Sequence, residues 1–206
     1  LMVEKGPGQF SFMYLSFQEY LIACYAVDQR EPYELLRPHL FSSRWREVVL
    51  LTAARLGSFS EAQASDFLCK VYEADVFLKE ILHRPLLLAT RILADDVWVE
   101  RGLAHSVLDR FWELLKASPY RRLNEEAGLI LGMLGTTRYA HYVKELFIKG
   151  LKDVDPAVRI RAAWAIGELG RAESGVIEAL VIALKDEEAE VRNRVFDALW
   201  ALAERL

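Results

Sequence analysis

The chain has 206 residues, enough for one or two domains with a hydrophobic core. Its 53% hydrophobic content, with only 11 Gly and 6 Pro, excludes a disordered segment. A balance of 26 basic and 30 acidic residues, net −4, argues against a general binder of nucleic-acid backbones, which needs a clustered positive field.

Nothing at either end reads as a secretory signal. The longest apolar runs, Val48 to Leu51 and Pro85 to Ala89, fall far short of the ~20 residues of a membrane span. Cys24 and Cys69 sit within helical patterns, as reduced thiols of a cytoplasmic protein do.

In chain order, an extended run from Phe10 to Leu15 is expected to turn sharply into a helix at Ser16. Ser16 is placed as an N-cap, with Glu19 three residues on to complete a capping box. Leu15 and Tyr20 are placed to form the hydrophobic staple around it. Glu31-Pro32 and Ser118-Pro119 each set a proline at a first helical position. Ser60-Glu61-Ala62-Gln63 is a second capping box. Phe67, Leu68 and Val71, then Phe77, Leu78, Ile81 and Leu82, recur at helical spacing. No run alternates with period two after residue 15, so no sheet is expected there.

The last third repeats internally. The segment from Asp153 to Leu169 matches that from Asp186 to Leu202 at an offset of 33. Val158, Arg159, Arg161, Ala162, Ala165, Ile166 and Leu169 recur as Val191, Arg192, Arg194, Val195, Ala198, Leu199 and Leu202. Each copy carries a preceding helix, with Val143, Phe147, Ile148 and Leu151 answered by Val176, Leu180, Val181 and Leu184. Ala127 to Gly135 is a degenerate earlier copy, led by a helix from Leu103 to Lys116. A two-helix unit of this length cannot bury its apolar stripe alone, so neighbours stack into a solenoid. No polar capping sequence stands at Leu206, and solenoids need one, so the natural protein is expected to continue.

Two resemblances follow from these residues. The run Phe12-Met13-Tyr14-Leu15-Ser16-Phe17-Gln18-Glu19-Tyr20-Leu21-Ile22-Ala23 resembles the strand-to-helix segment of NACHT-type (STAND) signal-transduction NTPases. The hairpin-like Leu1 to Phe10 and the helix from Arg44 to Leu51 extend that likeness over roughly the first 57 residues. The family usually has His where Tyr14 stands, and Tyr supplies no imidazole donor to a nucleotide. The repeat pattern D-x-x-V-R-x-x-A-x-x-A-L resembles short HEAT repeats, which also occur in HEAT-like phycobilin lyases.

The resemblances imply an all-α chain with a short β-hairpin left from a winged helix at 1–15. A helical linker domain follows at 16–100, and HEAT-like repeats fill 101–206. They imply a sensor and transmission region that lies after the NTPase core. Its partners would be a protein or other macromolecule on the solenoid surface, and its own NTPase core. The parent would bind ATP or ADP with Mg, in a setting such as antiviral defence. No phosphate-cradling G-x-x-x-x-G-K-[ST] run occurs here, so the chain itself is expected to hold no cofactor and to catalyse nothing. A lyase or lyase chaperone for a bilin, or a passive scaffold, are the alternatives.

Site residues divide by role. Ser16, Phe17, Gln18, Glu19 and Tyr20 are assigned to fixing the strand-to-helix turn. Arg159 and Arg192 are expected to pair with acids of the adjacent unit. His39, His83, His105 and His141 lack a partner three or four residues away, so no local metal signature exists. Trp164 lies roughly 140°, and Trp200 roughly 155°, from the centre of its helix's apolar stripe. Trp164, Trp200, Arg161 and Arg194 are therefore the candidate recognition surface, with Trp164 as its anchor.

Overall fold

The computed structural model describes residues 2–12, 14–75, 83–118 and 120–204. Met13, the apolar positions Phe77, Leu78, Ile81 and Leu82, the proline Pro119 and the terminal Leu206 lie outside the described residues.

The chain opens with an antiparallel hairpin, β1 (Met2–Gly6) and β2 (Gln9–Phe12). Pro7 and Gly8 make its turn. Pro presets the first central position, and Gly8, at φ +72°, takes the left-handed conformation of the second. No other strand occurs among the described residues, as the lack of period-two patterning requires.

Helix α1 (Leu15–Val27) starts two residues earlier than expected. Its N-cap is Tyr14, in extended backbone at φ −124° and ψ 130°, with no side-chain cap bond. The Ser16–Glu19 capping box is therefore not formed. Ser16 already lies in the first turn, where its hydroxyl cannot cap the helix it belongs to. The staple fails too, since Leu15 is 67% exposed. Tyr14 instead lies against Phe17, their ring centroids 6.3 Å apart.

Two compact units follow from how the helices pack: Leu1–Ile92 with Val97–Leu103, and Leu93–Asp96 with Ala104–Leu206. In the first, α1 buries Ala23 and Ala26 and packs on α3 (Arg46–Phe59). Pro32 begins α2 (Pro32–Leu36), as its fixed φ favours at the first helical position. Trp45 is the N-cap of α3 and stacks on His39 at 4.1 Å. Ser60 ends α3 and caps α4 (Glu61–Glu73): its N–H donates to the Leu56 carbonyl at 2.8 Å, while its Oγ accepts from Gln63 N at 3.3 Å. Only this half of the second capping box forms, because α3 has already taken the Ser60 amide. Helix α5 (Arg84–Ala94) follows. The buried hydroxyls of Thr52 and Thr90 spend themselves on carbonyls four residues back, at 2.7 and 2.8 Å.

The second unit is a stack of helical hairpins. Its helices are α6 (Arg101–Ala117), α7 (Arg121–Leu134), α8 (Ala140–Gly150), α9 (Pro156–Leu169), α10 (Ser174–Ala183) and α11 (Ala189–Ala203). Helix α7 begins at Arg121 behind the N-cap Tyr120, two residues beyond the start that Ser118-Pro119 suggests. Helix α9 is held at both ends. Asp155 accepts from Ala157 N at 2.8 Å, Pro156 fills the first position, and Gly170 closes it at φ +71°.

Helix α9 packs on α7, α8 and α11, so it is buried on two flanks rather than one. Of the expected stripe Val158, Ala162, Ala165, Ile166 and Leu169, the last four are buried and Val158 is half-buried. Ala163 and Gly167, on the other flank, are buried too, and a Cβ on Gly167 would lie 3.2 Å from Ala198 Cα of α11. Helix α11 buries Val191, Val195, Ala198 and Leu202 of its expected stripe and leaves Leu199 half-buried.

The caps set a direct comparison. Ser60→Ala loses a formed N-cap bond and costs about 1 kcal/mol in urea melts. Ser16→Ala, which loses no such bond, stays within about 0.5 kcal/mol of the parent.

Candidate functional site

The face built by the second helices of the repeat carries a groove of about 550 Å³ between α7 and α9. Helix α7 contributes Arg121, Asn124, Glu125, Gly128, Leu129, Gly132 and Met133, and α9 contributes Trp164 and Glu168. Its width is set by glycine. A Cβ on Gly128 would meet only the Glu168 side chain, 3.4 Å away. Gly135 acts differently. A Cβ there would fall 2.0 Å from the Leu169 carbonyl oxygen, so the glycine lets the backbones of α7 and α9 approach. The Gly135 carbonyl itself accepts from Arg171 Nε.

Trp164 is half-buried in this groove rather than projecting freely. The reason is the double burial of α9: a residue far from one stripe is close to the edge of the other. Asn124 Oδ1 is buried and has no donor. The groove therefore has one buried acceptor without a donor beside it.

Arg161 lies one turn before Trp164 and is also half-buried. It donates through Nη2 to the Ser118 carbonyl at 2.6 Å. Burial, and then the like charge of Arg194, lowers its pKa from the usual arginine value. Arg194 is exposed and meets Asp197 at 3.5 Å. Trp200 does not join this group. It is 61% exposed, and it stands at the repeat position held in α9 by Gly167, which is packed against α11. Its indole donates to Glu204 Oε1 at 3.0 Å. The periodicity that separates stripe from surface does not show the second buried flank, so it treats Trp164 and Trp200 alike.

The other arginine of each repeat has a structural role. Arg159, 7% exposed, grips Asp186 of the following unit with Nε at 2.7 Å and Nη2 at 2.9 Å. Its Nη1 donates to the Asp153 and Val154 carbonyls at 3.0 Å each. The bidentate fork holds the Asp186 carboxyl below the usual carboxylate range. Arg192 repeats only the carbonyl half, donating to Asp186 and Glu187 at 2.7 and 2.8 Å.

The motif residues of α1 make no site. Ser16, Phe17, Gln18 and Tyr20 are exposed and Glu19 is half-buried. Tyr20 accepts from Arg55 Nη1 at 3.3 Å. The first unit has its own cleft of about 400 Å³, lined by Tyr33, Phe67, Glu31, Asp66 and Lys70 among others. There Lys70 is held between Asp66 at 2.7 Å and Glu31 at 3.3 Å, so its charge is already matched. Two histidines are stacked, His39 on Trp45 and His105 on Tyr142, the latter pair 3.6 Å apart. Burial, and then its bond to Asp109, pushes the Tyr142 phenol up to about 12.

A family model described as HEAT repeats matches residues 108–203. No curated protein matches the chain. Among solved structures, a designed armadillo repeat protein in complex with the peptide (KR)4 is 16% identical, with 91% of this chain and 92% of that one covered and a TM-score of 0.34. A second designed armadillo repeat protein is 15% identical over 89% and 91% of the two chains, at 0.34. An engineered protein is 15% identical over 95% and 59%, also at 0.34.

The glycines separate spacing from groove width. Gly135→Ala forces α7 and α9 apart and costs about 1–3 kcal/mol in denaturant melts, as overpacking does. Gly128→Ala has room, removes a helix-interior glycine and gains about 0.5–1 kcal/mol.

The Arg159–Asp186 clip is tested by pH. Because the folded carboxyl titrates low, its stabilisation is complete above the ordinary value of about 3.9 and is lost as pH falls through the lowered folded value. Asp186→Asn thus melts below the parent at pH 7, and the two melting curves converge in strong acid. A gap that persists unchanged at low pH means that the carboxylate's charge is not what matters.

Proposed function

We propose that this chain is a non-catalytic, protein-binding solenoid region of a NACHT-type signal-transduction NTPase. In this reading the second-helix face of the repeats receives a partner. The helix that begins at Leu15 links the solenoid to a nucleotide-dependent switch. Binding on the solenoid would reorganise that switch, and defence signalling is the setting that the resemblance of Phe12 to Ala23 implies.

The observation that carries the binding role is the groove between α7 and α9. A solenoid that existed only as a spacer has no reason to leave a buried amide oxygen without a donor beside an open groove. The HEAT-repeat match over 108–203 supports the same role, since stacked repeats build extended binding surfaces. The coarser statement, a repeat solenoid with an open groove, stands on the fold alone. The link to an NTPase rests on the first 57 residues. No helix among the described residues is long and apolar enough to cross a membrane.

Two measurements test it. The sequence encoded upstream of Leu1 should contain a P-loop within about 300 residues, roughly two domains' length. The chain itself should show no saturable ATP binding by calorimetry. Micromolar ATP affinity, or an upstream sequence without a P-loop, removes the NTPase assignment and leaves the solenoid as a binding module of another protein.

A further inference from the structure

Helix α1 is apolar on two sides. One side, Ala23 and Ala26, is buried. On the other, Tyr14 at the N-cap and Phe17, Tyr20, Leu21 and Tyr25 are between 42% and 60% exposed. Counting about 100° per residue, these five fall within an arc of roughly 140°, opposite the buried pair. An exposed apolar stripe at that spacing is a surface for a second helix.

By themselves the α1 residues are an unselective face. Two residues of α3 give it chemistry along the Tyr20 edge. The Arg55 guanidinium lies over the Tyr20 ring at 6.0 Å and over the Phe59 ring at 5.3 Å. Its Nη1 donates to the Tyr20 hydroxyl at 3.3 Å, and among the described residues it enters no ion pair. Its Nε is shielded from water and has no acceptor. A phenol and two rings hold a guanidinium in place without neutralising it. The edge of Nε and Nη2 that Arg159 gives to Asp186 is therefore unspent in Arg55. Phe59, the last residue of α3, is 67% exposed, so its ring can turn off the guanidinium at little cost in packing.

We propose that this outward face of α1, with Arg55 and Phe59 of α3, docks an amphipathic helix of a partner protein that carries a carboxylate within its apolar stripe. The apolar residues lie along Tyr14, Phe17 and Leu21, and the carboxylate takes the Nε–Nη2 edge of Arg55. The site is in the first unit and is independent of the α7–α9 groove and of the NTPase reading. A lipid surface does not suit this face: α1 has no Lys or Arg to meet headgroups, and Glu19 is its one charge. A nucleic-acid backbone needs a row of cations, which α1 lacks.

The test uses the full chain and a fluorescein-labelled helical peptide with a leucine stripe interrupted by one glutamate, and alanine and glutamine elsewhere. Counterparts with glutamine or lysine in place of that glutamate are the controls. Affinity is read by anisotropy. The site is read from the arginine Nε–H resonances, with that of Arg55 assigned as the one lost in Arg55→Lys. The expected result is saturable binding of the glutamate peptide, about tenfold or more tighter than of either control, with a shift of the Arg55 Nε–H. Arg55→Lys keeps the charge but loses the fork, and weakens binding by about tenfold. Leu21→Ser weakens all three peptides and leaves the preference for glutamate. It changes an exposed side chain, so it keeps the test sound even if Arg55→Lys fails to fold. Phe196→Ser, at an exposed aromatic of the other unit, changes nothing.

The proposal falls if the three peptides bind alike, if the Arg55 Nε–H does not move, or if neither variant weakens binding. It falls if lipid vesicles, and not the peptide, shift that resonance. A shift that follows protein concentration without peptide makes a second copy the occupant and overturns the partner. Loss of peptide binding when the sequence encoded upstream of Leu1 is included makes the stripe an internal seam and overturns it too.

Discussion

Helix α9 is buried on both flanks, and the architecture of the second unit follows from that constraint. A helix between two neighbours in a stack has little room for large side chains on the flanks that face them. Its buried positions are accordingly small: Ala162, Ala163, Ala165 and Gly167, with Ile166 and Leu169 as the larger fillers. Small residues let axes approach, and the neighbours answer in kind. Gly135 of α7 sits under the Leu169 carbonyl, and Gly150 of α8 makes room beside Ala162 and for the Trp112 ring. A Cβ at either position would collide with its neighbour, so each marks a close approach rather than flexibility.

Close approach brings polar backbone together as well, and the arginines resolve it. Arg159 is almost wholly removed from solvent, and every contact it makes is charge-assisted. It ties the loop before its own helix to the loop before the next one through Asp186. Removing one partner of such a pair leaves an unmatched charge among apolar neighbours, which costs more than the pair contributes. Arg161, two residues on, points the same chemistry to the other side of the helix. It meets a carbonyl and a like charge instead of a carboxylate, so burial lowers its pKa where Asp186 raises that of Arg159. Two arginines two residues apart in one repeat thus have opposite electrostatic settings.

The first unit shows a different balance. Helix α1 is apolar around most of its circumference, yet only Ala23 and Ala26 are buried, while Tyr14, Leu15, Phe17, Tyr20, Leu21 and Tyr25 are exposed. Its inward residues are the smallest it has, because α3 packs closely against it. The junction motif therefore does its work through backbone direction: an extended Tyr14 turns the chain from the hairpin into the helix, without a side-chain cap.

What the sequence determined by itself is what depends on local periodicity and turn chemistry. The 33-residue offset, the Pro32 helix start and most of the stripes of α9 and α11 are written in nearest-neighbour terms, since each unit repeats the same need for burial. Even the partner of Arg159 lay among the few acids one repeat away. Tertiary structure decided three things. It shifted the start of α1, because the path of the incoming chain, and not Ser16, sets where the helix begins. It gave the Ser60 amide to α3 and so left half a capping box. It separated Trp164 from Trp200, placing one in a groove and the other on a flank, because a second buried face arises only when another helix arrives to cover it. A single-helix projection has no means of counting neighbours, and the number of neighbours is what makes a surface residue part of a site.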